Sequence, residues 1–333
     1  MKKESALRGA VLTVTRRFAA GIDISEDAVR LAVLSRRLKR DSTVCVEHLD
    51  AVPIAAGAVV GGDFVDRAAV AAALREAVER MPQNGAWGAL RCSMGLPASA
   101  TLTTRVPLAR LIEARQPDVP DIGSDPSGLL EPAVLAEAER ASGMERGALA
   151  VDWSVEARDD GNAYVTIAAT ARRHVEARVE TAAAAGIALC AIDGEPAAAL
   201  RAMRHSGRVE LDADARYLAC WLESSGLHAW VVSAGEVESE ARYPAPEYVS
   251  IADALRHLAG ETRPIDCAYV GGQTQLLANA GLPLPALAKI VGCPALPFEA
   301  APYCNGASEI DAAMKHSPLF ATAFGLALRE VLQ

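Results

Sequence analysis

The sequence predicts a two-lobed α/β fold, and three observations carry that prediction. The chain has 333 residues and half of them are apolar, enough for two lobes with ample core. Strand-like and helix-like stretches alternate along it, the pattern of a layered α/β architecture. At the start of each half, two apolar strands are joined by a tight turn: 18–24 with 28–35, and 216–222 with 227–232.

Taken in order, 18–24 reads as a buried strand ending near Asp23, and 28–35 returns beside it through the turn Ser25-Glu26-Asp27. A third strand is expected near 43–49, with the basic run Arg36-Arg37-Leu38-Lys39-Arg40 as a solvated loop before it. Asp66 has the chemistry of an N-cap for a helix running to Met81, with Val70, Leu74 and Val78 on one face. Two further strands fit 87–96 and 100–106. The stretch 116–128, dense in Pro, Gly, Asp and Ser, reads as an exposed loop. Pro132 is expected to start a helix that Gly143 ends. Strands at 148–157 and 163–169 follow, joined by the turn 159–162. A helix over 172–185 stops at Gly186, a strand fits 187–192, and Pro196 opens the next helix. In the second half, 235–248 has room for a loop or one short element. Ser250-Ile-Ala-Asp253 reads as a capping box for a helix ended by Gly260. A strand at 265–270 and a final helix from Pro318, with Leu319, Ala323 and Leu326 on an apolar face, complete the chain.

Composition excludes several classes. A net charge of −9 argues against general nucleic-acid binding, which needs a concentrated basic surface. Seven scattered cysteines form no CxxC pair, so neither a disulfide framework nor a zinc site is indicated, and a reducing cytoplasm suits them. No stretch approaches the roughly 18 uninterrupted apolar residues of a membrane helix. Residues 1–17 read as a flexible, weakly basic tail rather than a signal peptide, because Arg16-Arg17 interrupts a short apolar run. No histidine falls in a motif with Ser or Cys, and no metal-ligand spacing occurs. No catalytic residue and no metal site is assigned.

Six segments, taken in order, carry a family resemblance. They are Gly21-Ile-Asp-Ile-Ser-Glu-Asp-Ala-Val-Arg-Leu-Ala-Val-Leu34, Val59-Val-Gly-Gly-Asp-Phe-Val-Asp66, 169–180, 191–200, Tyr269-Val-Gly-Gly272 and 320–328. Together they resemble the PilM family, the actin-like cytoplasmic proteins of type IV pilus assembly. The resemblance implies an actin-like (ribonuclease H-like) two-lobed fold. Its first lobe would span 18–205, with a small subdomain inserted at 99–172 of the kind shared with the cell-division protein FtsA. The second lobe, 206–333, would be reduced, because 235–248 is too short for the nucleotide-clamping subdomain of the family. The implied function is that of an adaptor at the cytoplasmic face of the inner membrane. It would bind the N-terminal peptide of PilN in a groove of the first lobe and the inserted subdomain, and through PilN meet PilO and the pilus platform.

The same resemblance marks a nucleotide site. In the actin fold the two hairpin turns hold phosphates on backbone N–H groups, which needs small residues. Asp23 stands where Mg²⁺ and its waters are positioned, and Ser25 lies in the first cradle. Asp193 and Glu195 fall in the interlobe crossing motif, where an acidic residue can orient a water. Gly271 and Gly272 fall where backbone packs against ribose or adenine. Each has a plainer role: a turn-closing Asp, acidic residues at a helix N-terminus, a Gly-Gly turn. Against the site, Glu26 and Asp27 would face a polyanion, and Cys220-Trp221-Leu222 replaces the Asp and small residues of the second cradle. The expectation is a pseudo-ATPase with no cofactor, or with weak residual ATP and Mg²⁺ binding at these six residues. The competing readings are a working actin-fold ATPase or kinase, and the cytoplasmic module of a type II secretion L protein.

Overall fold

In a computed structural model, residues 16–38, 42–82, 90–113, 126–157, 163–244, 251–260, 263–305 and 310–333 are described. β1 (Arg16–Ile24) and β2 (Ala28–Arg37) form the first hairpin, in register from Arg16 opposite Arg37 to Ile24 opposite Val29. β1 thus starts two residues earlier than expected, and Arg16 belongs to it, paired with Glu47 at 3.2 Å. Residues 1–15 of the expected tail lie outside the described residues. Arg36 and Arg37 end β2 instead of opening a loop, while Lys39 and Arg40 fall outside the described residues. β3 (Val44–Pro53) pairs antiparallel with β2. A short hairpin, β4 (Val59–Val60) with β5 (Asp63–Phe64), leads into the helix Arg67–Glu79. Asp66 caps that helix as expected, its carboxylate accepting the Ala69 N–H at 3.0 Å. Val70 and Leu74 are buried on its inner face, and Val78 is half-buried.

β6 (Arg91–Leu96) lies parallel to β1, and β10 (Leu189–Gly194) parallel to β6. The first sheet therefore runs β10-β6-β1-β2-β3. The second sheet repeats this plan. β11 (Arg216–Glu223), β12 (Gly226–Ser233) and β13 (Glu236–Pro244) form an antiparallel meander, followed by parallel β14 (Cys267–Gly272) and β15 (Ala295–Pro297). Its order is β13-β12-β11-β14-β15, so each sheet is a three-stranded meander extended by two parallel strands. β13 is a nine-residue edge strand, longer than the loop or short element expected at 235–248. The helix Ile251–Ala259 follows; the proposed cap Ser250 lies outside the described residues.

The β12–β13 turn is Ala234-Gly235, with φ of 49° and 79°. Two positive values in a two-residue hairpin are the primed turn that matches strand twist and favours Asn-Gly. Alanine is strained there. Replacing Ala234 by glycine is expected to stabilise the protein by about 0.5–1 kcal/mol, read as a higher urea midpoint at unchanged slope.

The chain divides into two compact units: Met1–Pro97 with Thr181–Gln333, and Ala98–Glu180. The second unit has a three-stranded sheet, β7 (Thr101–Pro107), β9 (Ala163–Ala171) and β8 (Leu149–Ala157), in the order β7-β9-β8. Val106, Leu111, Val134, Ala138, Leu149 and Val165 fill its core. Its long helix is Pro126–Ser142, so it starts at the first of two prolines and carries Pro132 inside. Proline suits the first helical position equally well in either place, and local sequence does not choose between them. The rest of the expected loop, 114–125, and the turn at 158–162 lie outside the described residues.

In the first unit, the crossing helix Glu195–Glu210 and the last helix Ala321–Leu332 pack between the sheets. Two glycines set the closeness of this packing. A β-carbon on Gly325 would lie 1.8 Å from the Ala198 carbonyl oxygen, and one on Gly21 would lie 1.9 Å from that of Ala323. Ala321 to Leu328 are all buried, which makes the last helix a core element.

Candidate functional site

The β1–β2 turn closes on itself. The Ser25 N–H donates to the Ala28 carbonyl at 3.0 Å, and the Ala28 N–H donates back to Ser25 Oγ at 3.3 Å. Glu26 turns away and accepts the Gly61 N–H at 3.1 Å. The centre of the turn is Arg30, which the hairpin register places directly opposite Asp23. Its side chain is buried. Nη1 donates to Ser25 Oγ at 2.7 Å and lies 3.7 Å from Asp23 Oδ2. Nη2 donates to both Asp27 oxygens, at 3.0 and 3.1 Å. The Ser25 hydroxyl also donates to Asp27. One guanidinium thus gathers three side chains.

Each carboxyl responds differently. Burial pushes Asp23 up to about 6, although the Arg30 charge pulls it down and the Asp27 charge pushes it further up. Burial also acts on Asp27, but the Ser25 hydrogen bond and the Arg30 charge together hold it below the usual carboxylate range. Arg30 is the residue that sequence reasoning missed. The available signal was an arginine within the otherwise apolar run Ala28 to Leu34, which is where a buried partner has to be sought.

The β11–β12 turn faces the same space. Burial raises Glu223 above its ordinary value; its bond from Ser225 lowers it, and the nearby Asp23 charge raises it again. Behind the turn, Cys220 and Leu222 join the second lobe's core, and burial pushes the Cys220 thiol up to about 12. Trp221 packs on the opposite face of β11, its Nε1–H donating to Thr322 Oγ1 at 3.1 Å.

The other anticipated residues serve the frame. Asp193 Oδ2 pairs with Arg201 at 2.8 Å and with Arg329 at 3.5 Å, while Oδ1 accepts the Gly194 N–H at 2.9 Å. Arg201 donates in turn to the Gly325 carbonyl at 2.9 Å. Glu195 is buried in the first turn of the crossing helix, against Gly95, where a β-carbon would come within 2.8 Å of its Cγ. Gly271 and Gly272 end β14. A β-carbon on Gly271 would lie 2.9 Å from that of Ala321, and one on Gly272 would lie 2.1 Å from the Leu222 carbonyl oxygen. Asp23 and Ser25 therefore share one network, Asp193 and Glu195 brace the crossing helix, and the glycine pair packs β14 against its neighbours.

The buried cation of the β1–β2 turn, Arg30, is already paired within that turn. The Ser25 and Ala28 N–H groups are engaged by the turn, and the guanidinium by Asp27 and Ser25. Asp23, Asp27 and Glu223 add carboxyl groups to the same space. Like charges about 4 Å apart repel by roughly 1 kcal/mol in water and about 4 kcal/mol near a protein surface. Among the described residues, no three His, Cys, Asp or Glu side chains converge as metal ligands, and no helix is long and apolar enough to cross a membrane.

A family model described as type IV pilus assembly protein PilM matches residues 21–218, more than half of the chain. No curated protein matches it in sequence. The solved PilM-PilN type IV pilus biogenesis complex is similar in structure, with a TM-score of 0.68 and 18% identity, covering 94% of this chain and 98% of that one. That likeness and the repeated sheet order make the fold actin-like and two-lobed. A Bacteroides thetaiotaomicron protein of actin-like ATPase fold and unknown function has a TM-score of 0.46 at 10% identity, covering 88% and 94%. The cytoplasmic domain of EpsL from Vibrio cholerae, an inner-membrane component of the type II secretion system, has 0.43 at 11%, covering 80% and 95%. At those scores neither adds to the argument.

Proposed function

This chain belongs to the type IV pilus assembly protein PilM family, and from that premise we propose that it is a non-catalytic adaptor that holds PilN rather than a working ATPase. The observation that carries this reading is Arg30. Phosphoryl transfer needs in-line positioning, a metal and compensation of the γ-phosphate charge. Here the cation best placed to compensate is committed to Asp27 and Ser25. Purified protein with ATP and Mg²⁺ should release no more phosphate than an Asp23→Ala control, with or without a PilN peptide. Turnover that the control abolishes would return the protein to the ATPases.

The partner follows from the family and from the PilM-PilN likeness. An extended PilN N-terminal segment would add to a sheet edge, with backbone pairing for affinity and side-chain pockets for register. The inserted unit offers two edge strands, β7 and β8, on either side of β9. Hydrogen exchange of the full chain with that peptide should show new protection in β7 or β8. Protection confined to β11–β15 would place the peptide on the second lobe and refute this assignment. Through PilN the adaptor would stand at the cytoplasmic face of the inner membrane.

A further inference from the structure

We propose that the open end of the β1–β2 hairpin is a docking surface for an anionic phospholipid bilayer. The hairpin register sets Arg16 opposite Arg37 and Arg17 opposite Arg36. Like charges directly opposite on paired strands work against the pairing, so these arginines weaken the hairpin they belong to. The pleat sends the first pair to one face of the sheet and the second pair to the other. The charge therefore gathers at the strand ends rather than on either face. The start of β3 lies at the same end, with Val44 opposite Arg36.

Part of this charge has no match inside the protein. Arg16 pairs with Glu47 at 3.2 Å, and Glu47 also accepts from the Ser35 hydroxyl. Arg36 Nε donates to the Ser42 carbonyl at 3.2 Å. Arg17 is half-buried and Arg37 exposed, and neither side chain has a hydrogen bond or ion pair among the described residues. The residue after Arg37 is Leu38, which is 63% exposed.

A leucine at the tip with guanidinium groups around it fits the boundary of a bilayer. The apolar side chain can enter the acyl region while the arginines meet lipid phosphates through their planar forks. Their apolar stems tolerate the interface as well. The net charge of −9 does not forbid this, because salt screens charges farther than about 8 Å from the contact. Nucleic acid is the weaker match. Duplex phosphates offer nothing to Leu38, and single strands call for stacking aromatic side chains. The choice of a bilayer also rests on the adaptor reading, which puts the protein beside the anionic cytoplasmic leaflet. One patch of this kind binds weakly, and together with PilN it would make the second of two attachments.

Co-sedimentation of the full chain with sucrose-loaded vesicles tests this, using equimolar phosphatidylglycerol and phosphatidylcholine beside phosphatidylcholine alone. The protein should sediment with the anionic vesicles only, and less as salt rises. Arg17→Gln and Arg37→Gln should each weaken binding about fivefold, and the double variant about twentyfold. Leu38→Ser should weaken it about fivefold with the salt dependence unchanged. Neither arginine has an ion pair to lose, so the double variant should unfold in urea no earlier than wild type. Equal sedimentation with neutral vesicles, no sedimentation, unchanged affinity in the double variant, or its earlier unfolding would each overturn the proposal. So would DNA, duplex or single-stranded, that binds as tightly as the anionic vesicles and is lost in the same variant. Capture of a PilN peptide is measured in parallel. Its absence would count against the adaptor reading alone, because vesicle binding needs no peptide.

Discussion

Replacing Gly325 by alanine should cost the protein at least about 3 kcal/mol, and the same change at Gly21 should do likewise. Overpacking a core ordinarily costs about 1–3 kcal/mol because side chains can shift to relieve it. Here the obstacle is backbone. The new β-carbon at Gly325 would sit 1.8 Å from the Ala198 oxygen and 2.5 Å from its carbonyl carbon, and at Gly21 it would sit 1.9 and 2.6 Å from Ala323 and Ala327 backbone atoms. Relief requires moving the last helix away from the crossing helix or from β1, which opens a core along its length. Against a total stability of about 5–15 kcal/mol, the double variant should not accumulate as folded protein. Gly147 is the control: a β-carbon there meets nothing within 4 Å, so Gly147→Ala should unfold like wild type. Urea unfolding of the three single variants decides the matter. Equal midpoints for Gly325→Ala and Gly147→Ala would show that the two helices are not packed this closely.

Removing Arg30 should be as damaging at neutral pH and far less so in acid. Breaking a buried ion pair from one side typically costs about 3–5 kcal/mol, because the remaining charge has no compensation. In the intact protein Asp23 already titrates near 6 rather than its ordinary 3.8. A raised carboxyl value means the folded state binds its proton more tightly than the unfolded chain. The stability it contributes is complete below about pH 4 and is lost as pH rises to about 6, by up to roughly 3 kcal/mol. Asp27, held below the usual range, has the opposite slope and loses its contribution as pH falls. In Arg30→Ala the Asp23 penalty should grow at pH 7.5 and shrink at pH 4.5. Adding Asp23→Asn should restore most of the lost stability at pH 7.5, giving a coupling above about 1 kcal/mol in the double-mutant cycle. Equal destabilisation at both pH values would mean that Asp23 is not the group Arg30 compensates.

Elements whose causes lie within a few residues were legible in the order of amino acids alone. Apolar runs broken by tight turns placed β1, β2, β11 and β12, Asp66 announced its helix, and the order of short motifs pointed to the family. The order of residues also showed that the first turn is acidic, which raised the question of phosphate binding. It did not show where that charge goes. Arg30 reaches Asp23 across the hairpin and Asp27 along it, and only the strand register brings all three together. Gly21 and Gly325 stand in segments that carry the resemblance, yet their need for hydrogen side chains arises from helices and strands distant in the chain. Gly271 and Gly272 read as a nucleotide turn until Ala321 and the Leu222 carbonyl occupied the space beside them. Propensity and capping are local free energies, whereas close approach, burial and charge compensation exist only once distant segments meet, and those are the terms that decide what a site can hold.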